Sequence, residues 1–152
     1  MISSIFAIID AMVEDLTTTG GLTPKTVKKY AEPTIVNPTP AVLPILAVWS
    51  EKSELKMIST FPDYAIQHTY QTQIEWFISG PKTLATGGTG DTQYVQELWN
   101  IEAAIMNRIK AWGPGFPVFD ATINILPTSS QIMPTEGSIF KLAVELEVIE
   151  IG

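Results

Sequence analysis

The sequence predicts an α+β fold in which a mostly antiparallel sheet of four to five strands carries two helices on one face. Three observations support this class. Two stretches repeat apolar residues at helical spacing, several others alternate apolar and polar residues, and the elements follow the order α-β-β-β-α-β-β. The 152 residues suit one ordinary domain with a substantial core, and neither an internal repeat nor a second domain is visible in them.

The first predicted helix covers residues 3–18. Ser3 or Ser4 can cap its start, and Gly20 and Gly21 end it, because glycine readily takes the left-handed geometry of helix ends. Its apolar side chains recur at helical spacing and are Ile5, Phe6, Ile9, Met12, Val13 and Leu16.

Two short strands are predicted next, at residues 25–31 and 42–50. A charged turn at residues 51–56 follows, and residues 57–60 begin another strand. Prolines in residues 32–44 remove backbone donors, so we expect this segment to be extended or turned and to border the sheet. The prolines are Pro33, Pro38, Pro40 and Pro44.

The clearest predicted strand covers residues 64–79 and alternates with period two throughout. A strand of this length with one polar face is typical of an antiparallel sheet. One face carries Tyr64, Ile66, His68, Tyr70, Thr72, Ile74, Trp76 and Ile78. The other carries Ala65, Gln67, Thr69, Gln71, Gln73, Glu75, Phe77 and Ser79.

A loop rich in threonine and glycine, at residues 80–90, separates this strand from the second predicted helix. Asp91 or Thr92 can cap that helix, which ends at Trp112 before Gly113. Its apolar stripe consists of Val95, Leu98, Ile101, Ile105, Ile109 and Trp112, widened by Tyr94, Trp99 and Met106.

Two strands are predicted to close the chain, at residues 117–126 and 138–151, with a polar hairpin-like connection at residues 127–137. The first places Phe119, Ala121, Ile123 and Ile125 on one face. The last places Phe140, Leu142, Val144, Leu146 and Val148 on one face and Lys141, Glu145 and Glu147 on the other.

The composition excludes several classes of site. There is no cysteine and one histidine, which excludes disulfides, thiolate metal sites and His-pair metal motifs. The net charge is −7, so Lys25, Lys28 and Lys29 are interpreted as a solvated edge and not as a nucleic-acid site. No apolar run reaches the ~20 residues of a membrane helix and no signal peptide is recognisable, so a cytoplasmic origin is expected. Only 16% of residues are charged, which suits contacts with other proteins.

Three groups of residues are candidates for ligand binding or catalysis. Residues 87–90 precede a helix, as in phosphate sites, but lack the motifs of such sites, and Asp91 would repel a phosphate. His68 alternates with apolar neighbours, which favours a core or boundary histidine. Glu145 and Glu147 share a strand face and are interpreted as solvated charges. The sequence therefore predicts no catalytic residue, no cofactor and no metal site.

Aromatic residues fall into two predicted groups. Core packing is expected for Trp49, Trp76, Trp99 and Trp112, which lie in segments of strong apolar pattern. The better candidates for exposed interface anchors are Tyr30 and Phe116, the latter in the predicted turn of residues 113–117.

The arrangement resembles the tail terminator and tail-completion proteins of long-tailed bacteriophages, also called neck or head–tail joining proteins. Four stretches carry the resemblance, together with one helix of about twenty residues before the last of them. They are the amphipathic helix from Ile5 to Leu16, the proline-bearing strand from Ala41 to Trp49, the strand from Tyr70 to Ile78 and the closing strand from Gly137 to Val148. The resemblance covers nearly the whole chain as a pattern of elements; the proline-rich residues 32–44 and the acidic end of the chain depart from it.

The resemblance implies a structural virion protein without enzyme activity. It implies a homo-oligomeric ring, typically a hexamer, that ends the tail tube in the virion tail or neck. The expected partners are other copies of the chain, the tail-tube protein and a head-completion or connector protein. DNA would pass through the lumen without sequence-specific binding, since an acidic lumen repels DNA.

Two sets of residues are predicted to serve such an assembly. Contacts with neighbouring subunits are expected at Pro33, Pro38, Pro40, Gly87, Gly88, Thr89, Gly90 and Asp91. An exposed sheet face that could line the lumen is expected at Gln71, Gln73, Glu75, Glu145 and Glu147. Two alternatives stay open: another phage connector, tail-tube or baseplate subunit, and a small-molecule-binding domain or enzyme that uses His68.

Overall fold

The computed structural model describes residues 5–35, 42–59, 65–79, 89–112, 123–135 and 139–151. Two helices and five strands follow one another in the predicted order, which confirms the α+β class. They are α1 (Ile5–Thr17), β1 (Thr26–Tyr30), β2 (Ile45–Ser59), β3 (Ala65–Ser79), α2 (Thr89–Trp112), β4 (Ile123–Pro134) and β5 (Ile139–Ile151).

The five strands form one sheet in the order β1-β2-β3-β5-β4. Strand β1 pairs in parallel with the first third of β2, from Thr26 opposite Ile45 to Tyr30 opposite Trp49. The other pairs of described strands are antiparallel. Strands β1 and β4 therefore form the two edges of the sheet.

The main core lies between the sheet and the two helices. Alternate residues of β3 and β5 point to this side, among them Ile74, Trp76, Leu142 and Val144, and all four are buried. Helix α1 contributes Ile8, Ile9, Met12 and Leu16, and α2 contributes Leu98, Ile105, Ile109 and Trp112. Burial of each large apolar side chain contributes about 1.5–3 kcal/mol, so this layer accounts for most of the stabilisation that packing provides.

A smaller apolar cluster lies on the opposite face, which the sequence predicted to be polar. It contains Ile45, Trp49 and Phe77 of the sheet, with Ile35 and Val42 packed against them. Ile35 and Val42 belong to the proline-rich stretch between β1 and β2. The described ends of that stretch therefore lie over the sheet face away from the helices.

Two glycines after α1 have distinct structural reasons. A Cβ atom on Gly20 would lie 2.6 Å from the backbone oxygen of Leu16, and Gly21 has a φ of +70° in the left-handed region. Both positions favour glycine, as predicted for the end of this helix.

Three predicted boundaries are wrong. Residues 51–56 do not form a turn, because β3 supplies partners for β2 as far as Ser59, with register shifts between Ser50 and Lys52 and between Met57 and Ser59. Residues 127–134 belong to β4 and pair with β5. Thr89 and Gly90 lie in α2 instead of in the preceding loop. Residues 117–122 lie outside the described residues.

Candidate functional site

The predicted polar face of the sheet is formed by β3 and β5. Gln71 lies opposite Glu147, and Gln73 lies opposite Glu145. Each amide nitrogen donates a hydrogen bond to the facing carboxylate, at 3.1 Å from Gln71 to Glu147 and at 2.8 Å from Gln73 to Glu145. The structure therefore brings four of the five predicted face residues together as two amide–carboxylate pairs.

Glu75 corrects the prediction that this whole face is exposed. Its side chain is almost fully buried, and Gln73 is buried as well. The indole nitrogen of Trp49 donates a hydrogen bond to one carboxylate oxygen of Glu75, and the Lys141 ammonium lies 2.6 Å from the other. Burial is tolerated because the charge is paired and hydrogen-bonded. These contacts depend on strand pairing between distant segments, which the single-strand pattern does not show.

Next to this network is an open, mainly polar cleft of about 200 Å³. Glu145 lies on its wall, and hydrogen bonds from Gln73 and then from Ser129 lower the pKa of its carboxyl. Glu145 therefore remains charged at neutral pH. The amide–carboxylate pairs hold Glu145 and Glu147 in place on this face, and the charge of Glu75 is balanced by Lys141.

His68 lies on the side of the sheet that faces the helices, as its alternation predicted. It is partly buried, and its Nδ1 lies 2.8 Å from the hydroxyl of Tyr70. Burial raises the pKa of the Tyr70 hydroxyl, and the nearby charge of Glu150 raises it further. The interpretation as a boundary histidine is confirmed.

Tyr30 ends β1 in an unusual conformation. Its φ is +83°, in the left-handed region that non-glycine residues seldom adopt. Its hydroxyl donates a 2.6 Å hydrogen bond to Asp10, its ring packs edge-on against Phe6, and Lys29 makes a 2.8 Å ion pair with Asp10. Hydrogen bonds from Lys29 and Tyr30 lower the pKa of Asp10. Tyr30 is partly exposed, as expected of an interface anchor, but the contact with α1 has no signal in the sequence.

A second candidate surface was missed from the sequence. We define the distal hairpin as residues 51–59 of β2 and residues 65–69 of β3, which pair from Glu54 opposite Thr69 to Ser59 opposite Ala65. Residues 51–58 are all exposed, although residues 45–49 of the same strand are buried. On the side that faces the helices elsewhere in the sheet, Leu55 is 69% exposed and Met57 is 56% exposed. The signal in the sequence is the alternation of Leu55 and Met57 with charged or polar residues, across the border between the predicted turn at residues 51–56 and the predicted strand at residues 57–60.

The distal hairpin is amphipathic. Leu55 lies opposite His68 and Met57 lies opposite Ile66, whereas Lys56 lies opposite Gln67 on the other face. A two-stranded hairpin is marginally stable by itself, and an apolar face without cover is uncommon on a free monomer. This face has the character of a contact surface.

The predicted subunit contacts are placed only in part. Pro33 is partly buried just after β1. Thr89, Gly90 and Asp91 form the first turn of α2, and their side chains lie outside the described part of the structure. The predictions for Pro38, Pro40, Gly87 and Gly88, and that for Phe116, also fall outside the described residues.

Three of the four tryptophans are buried as predicted, and Trp99 is not. Trp99 is 45% exposed, because it lies on the side of α2 away from the sheet. Trp49, Trp76 and Trp112 are buried, Trp49 in the smaller cluster and the other two in the main core.

Neither a metal-binding cluster nor a membrane-spanning helix is found among the described residues. No group of three or more His, Cys, Asp or Glu side chains in the described ranges could hold a metal ion. In the same ranges, no helix is both long and apolar enough to span a membrane. No protein-family model matches the sequence, and no curated protein matches it significantly.

Proposed function

We propose that this chain is a structural virion protein that assembles into a ring, ends the tail tube of a long-tailed phage and joins it to the head or neck. The observation that carries the proposal is the uncovered apolar face of the distal hairpin, with Leu55 and Met57 at its centre. Repeated contact between copies would remove this surface from water.

The polar face of the sheet suits the passage of DNA in such a ring. Glu145 is exposed and its pKa is lowered, and Glu147 lies beside it on the same face. The chain as a whole carries a net charge of −7. The lysines of this face pair largely with its other glutamates, as Lys141 does with Glu75, so Glu145 and Glu147 leave it a net negative charge. A passage with this charge would repel phosphate and let DNA slide, whereas a basic passage would hold it.

The order of the elements supports the same proposal. An amphipathic helix, three strands, a long helix and two strands are the arrangement on which the resemblance to tail terminator proteins was based. An enzyme that uses His68 has less support, since the described partner of its Nδ1 is the hydroxyl of Tyr70.

The direct test is a mixing assay with phage tail tubes that lack a terminator. The purified chain should cap one end of the tubes, with ring-shaped density of one subunit type visible in electron micrographs. A variant with Leu55→Ser and Met57→Ser should stay folded and lose capping. Rings that form but never bind tail tubes would contradict the proposed place in the tail.

A further inference from the structure

Among the described residues, two strand edges of each copy have no neighbouring strand. The first is the outer edge of residues 51–55 in β2, since β1 pairs with β2 only as far as Trp49. The second is the outer edge of β4, the last strand of the sheet. Backbone groups on such edges lack partners within the described chain and are ready templates for another strand.

Tyr30 explains why the first edge is open. Its positive φ ends β1 opposite Trp49, and its hydroxyl is held by Asp10 of α1. The chain therefore leaves the sheet after a five-residue strand. Strand β2 continues beyond that point, and its residues 51–55 have no neighbouring strand on this side among the described residues.

The first four residues of β4, Ile123 to Leu126, lack the devices that usually protect an edge, because they contain neither a charge nor a proline. Pro127, Pro134 and a register shift between Pro127 and Ser129 lie further along the strand. Leu126 is 49% exposed. An uncharged edge of this length suits pairing with a strand of another chain.

We propose, on the basis of the assembly proposed above, that residues 123–127 of β4 in one copy pair antiparallel with residues 51–55 of the next copy, head to tail. Strands β2 and β4 run in opposite directions in each sheet, because three antiparallel pairings separate them. A rotation about an axis parallel to the strands preserves these directions, so β4 of one copy meets β2 of its neighbour antiparallel. Each copy offers one edge of each kind, which is the condition for a closed ring.

Residues of the two edges lie at the same heights along the direction of the strands. Glu54 pairs with Thr69, Thr69 pairs with Ile149, and Ile149 pairs with Asn124, so Glu54 and Asn124 lie at the same height in the sheet. By the same path, Leu55 and Ile123 share the next level and the face toward the helices. Neighbouring copies that pair without a shift would place Leu55 beside Ile123, apolar next to apolar.

An irregularity in β4 fits the same arrangement. The register of β4 shifts between Pro127 and Ser129, and Ser129 lies at the level of Trp49, where β1 ends. Residues 123–127 of β4, which precede the shift, therefore lie at the heights where the neighbouring β2 has no β1 beside it. The shift lies at the height where β1 of the neighbouring copy would begin to pair with β2. Because a bulge bends a strand, the rest of β4 would turn away from that β1.

Disulfide cross-linking tests the pairing, because the chain has no cysteine of its own. Glu54 and Asn124 are both exposed. Within one copy they are three strand spacings apart, about 14 Å, too far for a disulfide. The double variant Glu54→Cys with Asn124→Cys should form a ladder of covalent oligomers under mild oxidation, and the two single variants should cross-link only when mixed. A matched control, Glu54→Cys with Lys110→Cys on α2, should stay uncross-linked.

A second variant tests the pairing of the same β4 edge without introducing cysteine. Asn124→Lys with Leu126→Lys places two charges on exposed positions of β4 and should raise the concentration for half-assembly at least about tenfold. Noncovalent rings that form while the Glu54–Asn124 pair stays uncross-linked would overturn the edge pairing and leave the proposed function standing. Covalent dimers from Asn124→Cys alone would also overturn it, because they indicate β4 against β4. A chain that stays monomeric at all concentrations would overturn both proposals.

Discussion

The indole nitrogen of Trp112 donates a 2.6 Å hydrogen bond to Asp15, and this bond joins the last residue of α2 to the last turn of α1. Arg108 completes the arrangement with two hydrogen bonds to the same carboxylate, at 2.8 Å and 2.9 Å. The two helices cover one face of the sheet, so this carboxylate holds the helix layer together at a point where its apolar packing ends.

The first prediction concerns Asp15. Burial opposes ionisation, but hydrogen bonds from Arg108 and Trp112 outweigh it and lower the pKa of Asp15 in the folded protein. A lowered folded pKa stabilises the protein above the unfolded value near 3.8, and this stabilisation is lost as the pH falls through the folded pKa. Asp15→Asn should cost about 1–3 kcal/mol at pH 7 and much less at acid pH. Urea denaturation at pH 7 and near pH 3 measures both, and an equal loss at the two pH values would contradict the assignment.

The second prediction concerns the buried pair of Glu75 and Lys141. Lys141→Met leaves the Glu75 carboxylate buried with Trp49 as its remaining described partner, and should cost about 3–5 kcal/mol. The double variant Glu75→Gln with Lys141→Met should recover most of this loss, because no buried charge remains. A double-mutant cycle by chemical denaturation measures the coupling. Additive losses would show that the ion pair does not stabilise the fold.

The third prediction compares a buried leucine with an exposed one. Leu142 is fully buried under the helices, so Leu142→Ala should destabilise the fold by about 2–5 kcal/mol. Leu55 is mostly exposed, so Leu55→Ala should change the unfolding free energy of the monomer by less than about 0.5 kcal/mol. Only Leu55→Ala should weaken assembly while the fold stays intact, as sedimentation velocity can measure. A stability loss at Leu55 equal to that at Leu142 would mean that the distal hairpin is covered within one chain.

The fourth prediction concerns His68. His68→Ala removes its contact with the Tyr70 hydroxyl and should lower thermal stability by a few degrees. Tyr70→Phe removes the same hydrogen bond and provides the matched comparison. Unchanged stability in both variants would contradict the structural role and favour the alternative of a functional histidine.

Local patterns in the sequence predicted the elements of the main core. The alternation of β3 and β5 and the stripe of α2 follow from strand and helix periods, so residues such as Ile74, Leu142 and Ile105 were placed on the correct face. The length of β2 was not predicted because four of the six residues 51–56 are charged, a pattern that resembles a turn between two strands when the pairing strand is unknown.

The polar contacts were less accessible from the sequence. The alternation of β3 alone predicts that Glu75 is exposed, because its partners Trp49 and Lys141 lie 26 and 66 residues away in the sequence. The bond from Tyr30 to Asp10 joins a strand to a helix that precedes it by 20 residues. Such contacts depend on strand order and helix placement, which periodicity does not determine.

Native mass spectrometry of the purified chain over a range of concentrations tests the central claim most directly. The account predicts one closed oligomer of defined stoichiometry that dissociates when Leu55 and Met57 are both replaced by serine. A monomer of 16.7 kDa at every concentration, with the wild-type chain folded, would contradict it.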